Sequence, residues 1–143
     1  MPTIILGKDA KLYQGAALGA IGTLTEVSNI KDASLTLTAG EADVTTRANA
    51  GWRAKKPTLR ECSVDFVMMW DPADASFIAI RTAFLAGSPL ELAILDQDRA
   101  TPTAQGPKGQ FSITGFTRSE NLEEGITVSV TAKMTLFEQW HTT

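Results

Sequence analysis

Hydrophobic positions in this chain alternate with polar ones far more often than they recur at helical spacing. The longest run spans residues 58–70, where Cys62, Val64, Phe66, Met68 and Trp70 interleave with Glu61, Ser63, Asp65, Val67 and Met69. Successive strand side chains point to opposite faces, so this run predicts a strand with one core face and one mixed face. Further on, Ile126, Val128, Val130, Ala132 and Met134 alternate without a break with Thr127, Ser129, Thr131, Lys133 and Thr135. Phe111 and Ile113 alternate in the same way within 109–119, and Asn121 to Gly125 turns the chain between the two runs. The pair predicts an antiparallel hairpin. Residues 28–38, with Ala33, Leu35 and Leu37 on one side, predict a half-buried strand. A turn at Ala39-Gly40 and a partner strand over 41–46 follow, and 90–96 is a further strand.

One window departs from the alternation. Phe77, Ile80 and Phe84 recur at three and four residues behind Asp71-Pro72-Ala73-Asp74, and Gly87 follows. Acidic capping residues with a proline at the start, and a glycine at the end, predict a helix over 73–86. The other segments lack a strong period. Residues 1–27, interrupted by Gly7, Gly15, Gly19 and Gly22, read as an N-terminal arm or weak strand, and 45–57 as a long inter-strand loop. Residues 97–108 read as a mobile polar loop carrying Pro102 and Pro107. Residues 136–143 read as a C-terminal tail, too apolar around Phe137 and Trp140 to lie loose in water. The expectation is a single domain over 1–143, mainly β: a β-sandwich or half-barrel with one flanking α-helix.

Composition narrows the chemistry. The chain has 143 residues, enough for one core and short for two. Its 18 threonines and 8 serines favour strands with wetted faces. The single cysteine, Cys62, forbids an internal disulfide and a cysteine-based zinc site, and is expected to be an inert core residue. The single histidine, His141, lies near the C-terminus, which removes the central group of most metal clusters and of Ser-His-Asp or Cys-His catalysis. No phosphate loop or nucleophile elbow is present, so no catalytic residue, metal ligand or cofactor is expected. A net charge of −3 is too mild for wholesale binding to nucleic acid or anionic membrane, and no window has the length of a membrane span.

That mild total conceals a segregation. Arg47, Arg53, Lys55, Lys56 and Arg60 are five of the 13 cations within fourteen positions, with Trp52 among them. Such a loop suits a phosphate backbone or, more in keeping with its Arg and Trp, an acidic surface on another protein copy. Glu120, Glu123 and Glu124 in the hairpin turn are candidate partners for it. The pairs Glu41 with Asp43 and Asp96 with Asp98 stand at strand spacing for a metal, but no further ligand accompanies them. Thr127, Ser129 and Thr131 make a face of short hydroxyls, which suits an ordinary wetted strand and equally the wall of a conduit.

The order of these pieces resembles a known family. A strand ending Phe66-Val67-Met68-Met69-Trp70-Asp71, a short helix, Gly87-Ser88-Pro89-Leu90-Glu91-Leu92-Ala93, and a hairpin with the turn Ser119-Glu120-Asn121-Leu122-Glu123-Glu124-Gly125 are similar to the tail tube (major tail) proteins of long-tailed bacteriophages. The likeness runs from about residue 28 to 134. It implies six copies in a ring whose inner sheets join into one β-barrel, and rings stacked into a tube through which genomic DNA leaves the virion without sequence-specific binding. It implies no enzymatic activity and no membrane contact. The implied partners are other copies of the chain and further tail proteins such as the tape measure, tail terminator and distal tail proteins. The implied location is the virion tail, assembled in the host cytoplasm. The loop 45–57, with Arg47, Trp52, Arg53, Lys55 and Lys56, becomes the piece that reaches the next ring, Glu120, Glu123 and Glu124 its acidic partners, and Thr127, Ser129 and Thr131 the lumen-facing positions. Two alternatives remain open: the inner tube of a contractile injection or type VI secretion system, and a monomeric β-barrel that binds a small ligand.

Overall fold

A computed structural model describes residues 4–16 and 18–143. Seven strands, β1 (Lys11–Gly15), β2 (Thr25–Glu26), β3 (Ile30–Asp43), β4 (Lys55–Met69), β5 (Leu90–Leu95), β6 (Gln105–Ser119) and β7 (Thr127–Thr142), surround one helix, α1 (Ala75–Ala86). They form one antiparallel hydrogen-bonded sheet in the order β2-β1-β5-β6-β7-β4-β3.

Pairing divides this sheet into two arms that share β6 and β7. β5 pairs with β6 only from Lys108 to Phe111, whereas β4 pairs with β7 only from Thr127 to Lys133. One arm is therefore β2, β1, β5 and the first half of β6 with the second half of β7. The other is β3, β4, the first half of β7 and the second half of β6. The register of β6 on β7 shifts at Lys108/Gly109, Gln110/Phe111 and Ile113/Gly115, where the shared pair passes between arms. Such irregularities bend a strand and increase its twist. Close approach makes glycine necessary in the first arm: a Cβ on Gly106 would lie 1.7 Å from the Ile94 carbonyl oxygen.

The core gathers Val64, Phe66 and Met68 of β4, Phe111 of β6, Val128 and Val130 of β7 and Leu92 of β5 with Phe77 and Ile80 of α1. The helix starts where Asp74 Oδ2 accepts the Phe77 N–H at 2.9 Å, and stops where Gly87 takes a left-handed φ of 69°. Its start thus falls two residues after the expected one. Phe77 meets Trp70 edge to face at 4.7 Å, and Phe84 stacks on Phe116 at 5.8 Å. Burying a phenylalanine of this kind contributes about 2–3 kcal/mol.

Several segments depart from the sequence reading. Ala39-Gly40 makes no turn: β3 continues through a register irregularity between Ala39 and Glu41 to Asp43. The loop expected at 45–57 is shorter, because Lys55, Lys56 and Pro57 already belong to β4. Within 1–27, expected as an arm or weak strand, β1 is an interior strand with Leu12 and Tyr13 buried, and β2 edges the sheet; Met1, Pro2, Thr3 and Ala17 lie outside the described residues. The expected polar loop at 97–108 ends in strand, its last four residues opening β6 with Pro107 and Lys108 buried. Its first half is tethered by Arg99, whose guanidinium donates to the Ile21 and Leu24 carbonyls and lies over the Tyr13 ring. The expected C-terminal tail is the second half of β7, paired to β6 as far as Gln105↔Thr142.

Candidate assembly surfaces

β3 is predicted to be half buried and is not. Its burial pattern is exposed at nearly every position, although Ala33, Leu35 and Leu37 pair with the core residues Phe66, Val64 and Cys62 and so point to the helix side of the sheet. The reason is that β3 is the last strand, and nothing among the described residues packs over it. β3 also leaves one row of backbone groups unpaired along fourteen residues. A long apolar edge of this kind is a template for pairing with another chain.

The opposite face of this arm carries the hydroxyls. Register places Asp32, Val67, Ser129 and Thr117 in one row across four strands, Ser34, Asp65, Thr131 and Gly115 in the next, and Thr36, Ser63, Lys133 and Ser112 in a third. Thr131 Oγ1 donates to Asp65 Oδ1 at 2.7 Å. Thr127 stands beside Met69 at the end of the same face. The expected Thr127, Ser129 and Thr131 stripe is therefore part of a wider surface of small polar side chains, with Asp32 and Asp65 against Lys133.

The basic and acidic clusters lie at opposite ends of this arm. At one end, the connection from β3 to β4 is ordered by its own hydrogen bonds: Thr46 and Asn49 cap each other around a short 3-10 turn, and Ala54 N–H donates to Thr45 Oγ1 at 2.8 Å. Trp52 projects from it with 80 % of its surface exposed. Lys55 pairs with Asp43 across the hairpin at 3.7 Å, whereas Arg47, Arg53 and Lys56 make no ion pair among the described residues. The Asp43 carboxyl is held below the ordinary carboxylate range, first by the Thr45 hydroxyl and then by the Thr45 N–H. At the other end, the turn between β6 and β7 holds Glu120, paired with Arg118, and Glu124, which accepts from Asn121 Nδ2 at 3.0 Å. Fifteen residues of β4 separate the two ends, about 50 Å of strand. No carboxylate of the turn meets the loop within one copy.

The first arm holds groups that the sequence reading passed over. Lys108 Nζ, 5 % exposed, lies 2.7 Å from Glu91 Oε1 and 2.9 Å from Glu138 Oε1, and Glu91 Oε2 accepts the Leu18 N–H at 3.1 Å. Burial pushes the Glu91 carboxyl up, reinforced by Glu138, while the hydrogen bond from Glu91 holds Glu138 down. The two carboxyls meet on one ammonium. A charge set inside the apolar run Leu90-Glu91-Leu92 was the available signal. Cys62 is buried, and burial pushes its thiol up. Among the described residues no group of acidic, Cys and His side chains could hold a metal ion, and no helix is long and apolar enough to cross a membrane.

No family model and no curated protein matches the sequence. Solved structures do match the fold. The tail of an empty gene transfer agent particle, from helical refinement with C6 symmetry, superposes with a TM-score of 0.73 at 19% identity, over 96% of this chain and 98% of that one. The SPP1 tail tube superposes with a TM-score of 0.74 at 17% identity, over 94% of this chain and 77% of that one. The baseplate of the anti-feeding prophage, six-fold symmetrised, gives 0.69 at 6% identity, over 100% and 97%. The chain has the tail-tube-like fold: mainly β with one helix.

Proposed function

We propose that this protein is the structural subunit of a phage-type tail tube, without enzymatic activity, in which six copies form a ring and rings stack into a hollow conduit for DNA. The observation that carries the reading is the arm made of β3, β4, β6 and β7, which has a free edge on both sides. β3 is unpaired along its outer edge, and β6 beyond Phe111 pairs only with β7 among the described residues. Joining β3 of one copy to β6 of the next extends the sheet, removes both edges and, repeated around a cyclic axis, closes a barrel. The apolar row Ala33, Leu35 and Leu37 then lies beside a neighbour's body instead of water.

Closure in this sense turns the hydroxyl face of Thr127, Ser129 and Thr131 to the lumen. Short hydroxyls and carboxylates dominate this face, with Lys133 beside Asp65 and Asp32, so a polyanion finds little to hold, whereas a wall rich in fixed positive charge would retard DNA. The likeness to gene transfer agent and SPP1 tails supports a virion-tail location; DNA as cargo, assembly in the host cytoplasm and further tail proteins as partners belong to the same reading. The likeness to the anti-feeding prophage baseplate favours a second reading, the inner tube of a contractile injection device.

Stacking needs two unlike ends, and the arm has them. The loop with Arg47, Trp52, Arg53 and Lys56 at one end faces Glu120, Glu123 and Glu124 of the copy above, a heterologous contact that does not close and so propagates a filament. Electron microscopy of the purified protein tests the reading: six-membered rings and hollow tubes are expected, and a strict monomer at high concentration contradicts it.

A further inference from the structure

Where β4 leaves β7 beyond the Ser63↔Lys133 pair, the two arms splay and leave an open groove of about 680 Å3 on the molecule. Leu37, Leu59, Met134, Phe137 and Trp140 line it, and Arg60 stands in its wall. Trp140 is fixed there by a hydrogen bond from its indole N–H to Gln105 Oε1 at 3.0 Å. Leu59 is 84 % and Phe137 56 % exposed, so the groove is an apolar hollow that no described residue fills. A hollow of this kind is the mark of a site for another surface.

The same chain carries a fitting projection at the far end of the arm. Leu122 is fully exposed at the tip of the turn between β6 and β7, ahead of Glu123 and Glu124. The turn is held in shape by Asn121, which donates its side chain to Glu124 and accepts the Glu124 N–H on its carbonyl. An apolar tip on a preformed turn loses little conformational freedom when it docks. Carboxylates flank the tip, and the wall of the hollow carries Arg60 next to Glu61, so the charges match where the carboxylates of the tip approach the Arg60 side.

We infer that Leu122 of one copy seats in the groove between Leu59, Phe137 and Trp140 of a copy in the adjacent ring, with Glu123 or Glu124 against Arg60. The inference rests on the tail tube reading and names the apolar contact that sets its ring-to-ring register. The tip and the hollow lie at opposite ends of the β4–β7 pairing, which puts the contact between successive copies along the strands. A projection on one patch and a pocket on another give a contact that repeats without closing.

The Leu122→Ser variant tests this directly. Leu122 is fully exposed, so the variant is expected to keep the wild-type melting temperature and to form rings. Its critical concentration for tube formation is expected to rise roughly ten- to hundredfold, as removing a buried leucine from each contact requires. A second experiment pairs Leu122→Cys with Leu59→Cys in a Cys62→Ala background: oxidation of assembled tubes is expected to give a ladder of covalent multimers, and either single cysteine none. Tubes of Leu122→Ser at the wild-type threshold, or assembled tubes that give no ladder, overturn the contact while leaving the tube reading standing. A wild-type protein that forms neither rings nor tubes overturns both.

Discussion

The two arms of the sheet use similar alternating sequences to opposite ends. In β5 (LELAIL) nearly every residue is buried, and even Glu91 is covered because Lys108 and Glu138 meet it. In β3 (IKDASLTLTAGEAD) the leucines face the same side as the core and stay exposed. The difference is neighbours. β5 lies between β1 and β6 and is covered on both faces, whereas β3 ends the sheet. Folding of the single copy rests on the first arm, the helix and the core-facing rows of β4 and β7, and β3 with its outer edge is left for other copies to complete.

Predictions that break this contrast run from large to small. Replacing Lys108 with Met leaves two carboxyls buried without their ammonium, which costs about 3–5 kcal/mol of folding stability in urea titrations. Phe77→Ala, which opens a cavity under Trp70, costs a similar 3–5 kcal/mol and is the control for an ordinary core loss. By contrast, Leu35→Ser with Leu37→Ser is expected to change monomer stability by less than about 1 kcal/mol, yet to abolish rings in sedimentation, because both side chains are needed only between copies. Loss of monomer stability comparable to Phe77→Ala would erase the distinction between the arms.

A pH experiment sharpens the comparison. Glu91 in the folded protein is raised above its ordinary carboxylate value, so the native state holds a proton that the unfolded chain gives up. Its contribution is full below the ordinary carboxylate range and is lost as pH rises through the raised folded value. Wild-type stability is therefore expected to fall with rising pH over that window relative to Glu91→Gln, with parallel profiles counting against a raised Glu91 carboxyl. The smallest effect is expected on the hydroxyl face: Thr131→Val removes one exposed hydrogen bond to Asp65 and should shift stability by about 0.5 kcal/mol with assembly intact.

Much of the second arm was legible in the sequence. The alternation around Phe66 and Val130, the helix cap at Asp74 and stop at Gly87, and the turn at 121–125 all depend on local chemistry. The first arm was harder. Pro107, Gly106 and Lys108 look like loop residues, and only pairing with β5 and β7, contributed from distant sequence, turns them into strand. Ala39-Gly40 misled in the opposite direction, since an irregularity absorbed what looked like a turn. Among the assembly surfaces, the basic loop and the hydroxyl stripe could be named from residue type. The groove could not, because Leu37, Leu59, Phe137 and Trp140 meet only where two strands part.

The measurement closest to the central claim is amide hydrogen exchange on the monomer and on assembled particles. The account predicts that the outward amides of β3 and of β6 beyond Phe111 exchange freely in the monomer and become protected on assembly, while β1 and β5 are protected in both. Unchanged exchange along β3 in assembled particles would contradict it.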